Sequence, residues 1–138
     1  MAANQPDENS PDVAAIRQLI ENWARAVREQ NRPAILAHHD PQILMFDVPP
    51  PFLSKGIPAY DQTWDLFFTD SNNVGVFDID HLDVTAGQDV AFATALMHCG
   101  TCDKDGPNGQ LAFRLTVGLK KIDGQWTILH EHHSVPAT

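Results

Sequence analysis

Cysteine is almost missing from this 138-residue chain: Cys99 and Cys102 are the only two. That is too few for a disulfide framework and fits a reducing, cytoplasmic setting. Basic residues are scarce as well, nine Lys+Arg against eighteen Asp+Glu for a net charge of -9. Such a surface repels phosphate backbones and anionic lipid, so neither nucleic acid nor a membrane is expected as a partner. No apolar run approaches the ~20 residues of a membrane span. Met1 to Asn9 has no basic start and no apolar stretch, so residues 1–9 read as a disordered N-terminal tail, not a signal peptide. There is no internal repeat. What remains, residues 10–138 within a chain of 43% hydrophobic content, suits one domain with a real core.

Ser10-Pro11 is an N-cap with a first-turn proline, and Val13, Ile16, Leu19, Ile20, Trp23 and Val27 recur at helical spacing. The pattern predicts a long helix to about Glu29. Asn31 caps a shorter one, Arg32 to His38, with His38 and His39 as partners of its C-terminal dipole. Gln42 to Asp47 reads as a buried strand that Pro49-Pro50-Pro51 stops. Gly56-Ile57-Pro58 opens a third helix, where Tyr60, Trp64 and Phe67 or Phe68 share a stripe; Trp64 suits either the core or the wall of a cavity. The period then changes. Residues 74–85, 89–99, 111–122 and 125–134 are strand-like and separated by turn residues, an antiparallel meander. Helices first and strands later make the fold class α+β.

Chemistry concentrates in the meander. Strict alternation along the last strand places Trp126, Ile128, His130 and His132 on the core face, and Thr127, Leu129, Glu131 and His133 outward. A three-residue turn at Ile122-Asp123-Gly124 would set His130 opposite Thr116 and His132 opposite Arg114; a two-residue Asp-Gly turn would send Arg114 outward. In the first register His98, Arg114 and His132 form a polar row across three strands, and an inward Arg114 wants the Asp47 carboxylate. Asp47 is then the candidate proton-transfer group, His130 a catalytic donor, and Trp64, His98, Arg114, Thr116 and His132 the ligand-binding set. Plain structural pairing of Asp47 with Arg114 is the competing reading. His81 reads as an ordinary hydrogen-bonded strand residue.

Two further motifs bear on redox and metal chemistry. Cys99-Gly100-Thr101-Cys102 has redox spacing, yet Asp103 to Gly109 follows it and forbids the helix N-terminus that activates such thiols. Paired with His130 and His132 it would make a zinc site, but the elements place the two halves apart. No metal and no cofactor are expected. The other sheet face, Ala91, Ala93, Ala95 and Met97 beside Phe113, Leu115, Val117 and Leu119, is almost wholly apolar, which predicts a homodimer packed through its sheets.

The order of elements, the strand ending Met45-Phe46-Asp47-Val48-Pro49, Gly56 before the Tyr60 and Trp64 helix, and the closing Lys121 to Pro136 segment with its His130-Glu131-His132-His133 run resemble SnoaL-like, ketosteroid isomerase-like proteins of the nuclear transport factor 2-like superfamily. The resemblance spans about residues 11–136. It implies a cone-shaped barrel in which a curved antiparallel sheet wraps N-terminal helices, commonly dimeric, around a pocket for a small apolar or carboxylate-bearing organic ligand. It also places Asp47 where the isomerases keep their catalytic aspartate, making an isomerase, cyclase or dehydratase type of proton transfer the expected activity and a non-catalytic binding or dimerisation module the alternative. The isomerases add a first-helix tyrosine and a protonated sheet acid. This chain has no tyrosine in its first helix, and offers Arg114 and Thr116 where the acid would stand.

Overall fold

A computed structural model describes residues 10–71, 75–100 and 110–137. The expected tail at 1–9, Cys102 and the loop after it lie outside the described residues. The described chain runs α1 (Pro11–Arg28), α2 (Arg32–Leu36), β1 (His39–Phe46), β2 (Ser54–Lys55), α3 (Ile57–Ser71), β3 (Val76–Ala86), β4 (Val90–Gly100), β5 (Gln110–Ile122) and β6 (Gln125–Ser134). The caps act as anticipated: Ser10 Oγ accepts from the Asp12 and Val13 amides, and Asn31 Oδ1 accepts from Ala34. Each satisfies amide donors that a helix leaves unpaired in its first turn.

Six strands form one mixed sheet in the order β2-β1-β6-β5-β4-β3. The meander from β3 to β6 is antiparallel, whereas β1 runs parallel to β6, a pairing that connects residues far apart in sequence. One face of this sheet carries the core. Ala91, Ala93, Ala95 and Met97 of β4 and Phe113, Leu115, Val117 and Leu119 of β5 are all buried with Val13, Ile16, Ile20, Trp23 and Val27 of α1 and with Tyr60 and Trp64 of α3. This corrects the expectation that these eight strand residues need a second subunit as cover. The chain's own helices lie on that face, because its small alanines and branched side chains suit close packing of helix on sheet.

Three local features decide which residues point inward. Ile122 pairs with Gln125 and Lys121 with Trp126, so the β5–β6 connection is the two-residue turn Asp123-Gly124. Both turn residues have positive φ, 52° and 79°, the backbone that an Asp-Gly hairpin supplies readily. Arg114 is therefore exposed on the outer face, overturning the three-residue register. Next, the pairing shifts between Leu119↔Ile128 and Gly118↔His130, leaving Leu129 as an extra residue in β6. Such a bulge reverses the alternation beyond it. Trp126 and Ile128 point in, but so do Glu131 and His133, while His130 and His132 turn outward. A second shift, at Asp80 in β3, keeps both Phe77 and Leu82 inside.

Candidate functional site

Between α3, the end of β1 and the ends of β3 to β6 lies a cavity of about 290 Å³. Most of its wall is apolar: Met45, Trp64, Phe67, Phe77, Leu111 and Phe113. The polar groups that reach it are Asp47, Thr63, Cys99 and His133. Asp47 follows β1 directly, and its Oδ1 accepts from the Val48 amide at 2.8 Å, an arrangement that keeps the second oxygen available. Burial, aided by the Asp47 charge, pushes the Cys99 thiol up to about 11, so it stays protonated at neutral pH. Thr63 donates to the Tyr60 carbonyl at 2.6 Å. Trp64 is 3% exposed, and its Nε1 is buried with no partner in hydrogen-bonding geometry.

Behind His133 stands a buried ionic network. Glu131, 1% exposed, receives Tyr60 Oη at 2.7 Å and His39 Nε2 at 2.5 Å on Oε2, and His133 Nε2 at 3.0 Å on Oε1. Trp23 Nε1 in turn donates to Tyr60 Oη at 3.1 Å. His39 has carbonyl and carboxylate acceptors at both ring nitrogens, Ala37 O at 2.9 Å and Glu131, so both nitrogens carry hydrogen and the ring is an imidazolium. The charges agree with this. Burial alone would raise the Glu131 pKa, but the hydrogen bonds from His133 and His39 outweigh it and bring the carboxyl down to about 2. For His39 burial disfavours the cation, yet the Glu131 bond and charge hold its pKa above the ordinary value. Tyr60 is pushed well above the ordinary tyrosine range by burial and the adjacent carboxylate, and remains a donor.

Of the residues singled out in the sequence, Asp47 and Trp64 meet at the cavity. The others do not join them. Arg114 bonds Ser134 Oγ at 3.1 Å on the outer face, where Thr116 pairs with His132. His130 donates Nδ1–H to the Leu44 carbonyl at 2.7 Å and stands against Phe46, ring centroids 4.8 Å apart, with His132 at 5.3 Å from the same ring. His98 sits opposite Ala112 rather than Arg114, with carboxylate oxygens of Asp80 at 2.9 Å and Asp78 at 3.6 Å. His81, exposed, meets Asp83 at 2.9 Å. Strict alternation placed Glu131 and His133 outside and missed them, as it missed His39, which was read as a helix terminus and instead opens β1. The available signal was the adjacent pair Ile128-Leu129, where two apolar residues in a row break the alternation at the bulge. Among the described residues no group of three or more His, Cys, Asp or Glu side chains is arranged to hold a metal ion.

The model of the SnoaL-like domain matches residues 16–138. The chain belongs to the SnoaL-like family. Among solved structures it is similar to a nuclear transport factor 2-like protein of unknown function from Pseudomonas putida KT2440, with 36% identity over 91% of this chain and 87% of that one and a TM-score of 0.83. A ketosteroid isomerase-like protein from Erwinia carotovora atroseptica shares 18% identity over 94% and 99% of the two chains, TM-score 0.73. A protein of unknown function with a cystatin-like fold from Nostoc punctiforme matches at 12% identity over 94% and 95%, TM-score 0.76. The last two show the fold alone. No curated protein matches the chain. Among the described residues no helix is long and apolar enough to cross a membrane.

Proposed function

We propose that this SnoaL-like protein binds a small, largely apolar carbonyl compound in the 290 Å³ cavity and moves a proton on it with Asp47. The observation that carries the reading is a carboxylate at the rim of an apolar, partly enclosed space, the setting in which an aspartate acts as a base on carbon. Asp47 would take the hydrogen from the carbon next to the carbonyl. The C–H electrons then form the enolate, and the Asp47 carboxyl returns the proton to carbon. The chemistry needs no cofactor. Cys99, held as a thiol, is unsuited to nucleophilic work here.

The test is exchange of hydrogens alpha to the carbonyl in D₂O across a panel of small cyclic ketones, followed by NMR. Asp47→Asn should slow exchange by about 100-fold. Equal rates in the two proteins would remove Asp47 as the base.

A second reading, a binding module without turnover, draws on the position of Asp47, which is half-buried and already bonded to the Val48 amide. It expects an intact small molecule in native mass spectra of the purified protein and no exchange on any ketone. In either case the outer face exposes Val90, Phe92 and Leu96 on β4, each more than half accessible, and carries the Phe46, His130 and His132 cluster on β1 and β6, across β5 from them. Apolar side chains grouped on a sheet face suit a second copy of the chain as cover.

A further inference from the structure

His133 reaches the same cavity with its hydrogen-bonding direction already fixed. Its ring stacks on Phe113, centroids 5.7 Å apart and planes 11° from parallel, and its Nε2 lies 3.0 Å from Glu131 Oε1. Glu131 has no proton to offer. Its other oxygen takes hydrogen bonds from Tyr60 and from the His39 imidazolium, so Oε1 acts only as an acceptor. Whenever the His133 ring is uncharged its hydrogen lies on Nε2, facing Glu131, which leaves a lone pair on Nδ1. Among the described residues no hydrogen bond engages that nitrogen, and His133 lines the cavity.

The charges around the cavity point the same way. Its described lining includes the Asp47 carboxylate but no lysine or arginine. Arg114, expected to meet a carboxylate there, faces outward. An anion entering this space would meet the Asp47 carboxylate directly, with little water to screen it and with the His39 cation already taken up by Glu131.

We infer that His133 accepts a hydrogen bond from the ligand through Nδ1, so that the cavity takes an uncharged, hydroxyl-bearing compound in preference to a carboxylate. Resting on the cavity assigned under Proposed function, this specifies the substrate as a hydroxy-carbonyl compound. Glu131 is a positioning residue: it sets which ring nitrogen of His133 is bare.

The test uses the full chain at pH 8, above the ordinary histidine range, and three probes of one shape: 4-propylphenol, 4-propylanisole and 4-propylbenzoate, titrated by calorimetry. The phenol should bind about tenfold tighter than the methyl ether, the scale of one hydrogen bond, and the benzoate should give no measurable heat. Equal binding of phenol and ether, tighter binding of the benzoate, or binding of none of the three overturns the inference. In Asp47→Asn the phenol preference should persist although ketone exchange is lost. If the preference vanishes in Asp47→Asn, then Asp47, not His133, holds the hydroxyl. His133→Phe keeps the stack on Phe113 and should erase the preference. Should that variant fail to fold, nitrogen NMR of the wild-type histidines decides: the Nε2–H form of His133 supports the assignment, the Nδ1–H form ends it. Ketone exchange that depends on Asp47 without any phenol preference would sink this inference and leave the proposed reaction standing.

Discussion

His130, Glu131, His132 and His133 are consecutive residues of β6, yet they belong to two different environments. Glu131 and His133 are buried beneath the helices in an ionic network that ends at the cavity; His130 and His132 stand on the outer face around Phe46. Imidazoles of the same intrinsic chemistry thus differ only in which side of a sheet they occupy. On the inner side a missing partner strands a charge in low dielectric, and on the outer side water replaces whatever is lost.

The largest expected contrast follows from that difference. Glu131→Ala leaves the His39 cation buried without its counter-charge and should cost about 3–5 kcal/mol of stability, whereas His132→Ala should stay within about 0.5 kcal/mol. Urea unfolding of the two variants measures both, and similar losses would erase the distinction between the faces.

Next in size is pH dependence, where the signs follow from the two shifted groups. Glu131 is depressed from 4.5 to about 2, so the stability it contributes is complete above about pH 4.5 and is lost as pH falls towards 2. His39 is raised above 6.5, so its contribution is complete below 6.5 and is lost as pH rises through the folded value. The urea midpoint should therefore peak between these limits. Glu131→Gln should flatten both limbs, and His130→Ala should leave them in place.

The outer face sharpens the comparison through association. Phe92→Glu or Leu96→Glu should shift a self-associating chain to monomer in sedimentation experiments with little change in unfolding. If the wild-type chain already sediments as a monomer, the second copy is ruled out. The smallest effect concerns Cys99. In a Cys102→Ser background its alkylation at pH 8 should run about 100-fold slower than that of a free thiol, consistent with a thiol held near 11. Asp47→Asn should speed it a few-fold by removing a nearby negative charge. An unchanged rate would separate Asp47 from the cavity that Cys99 lines.

Much of the architecture was legible because it rests on local rules. Caps at Ser10 and Asn31, the helical stripe of α1, the proline stop after β1 and the turn residues between strands each fix their own neighbourhood, and the expected elements end within about two residues of those observed, except that β1 opens earlier, at His39, and the short β2 was not expected. Resemblance to the SnoaL-like family was carried by the same order of elements. Asp47 and Trp64 were found because each sits at an element whose placement depends on few others.

What the sequence by itself determined, then, was the α+β class, the order of helices and strands, and an aspartate delivered to the end of β1. Only the tertiary structure decided which face of the sheet is inside. Side-chain direction along a strand has a period of two, so a single extra residue at Leu129 and a two-residue turn at Asp123-Gly124 reassign every residue beyond them. Such shifts are set by pairing with distant strands and by the cost of burying a charge without its partner. For that reason Arg114 faces outward and Glu131 lies in the core.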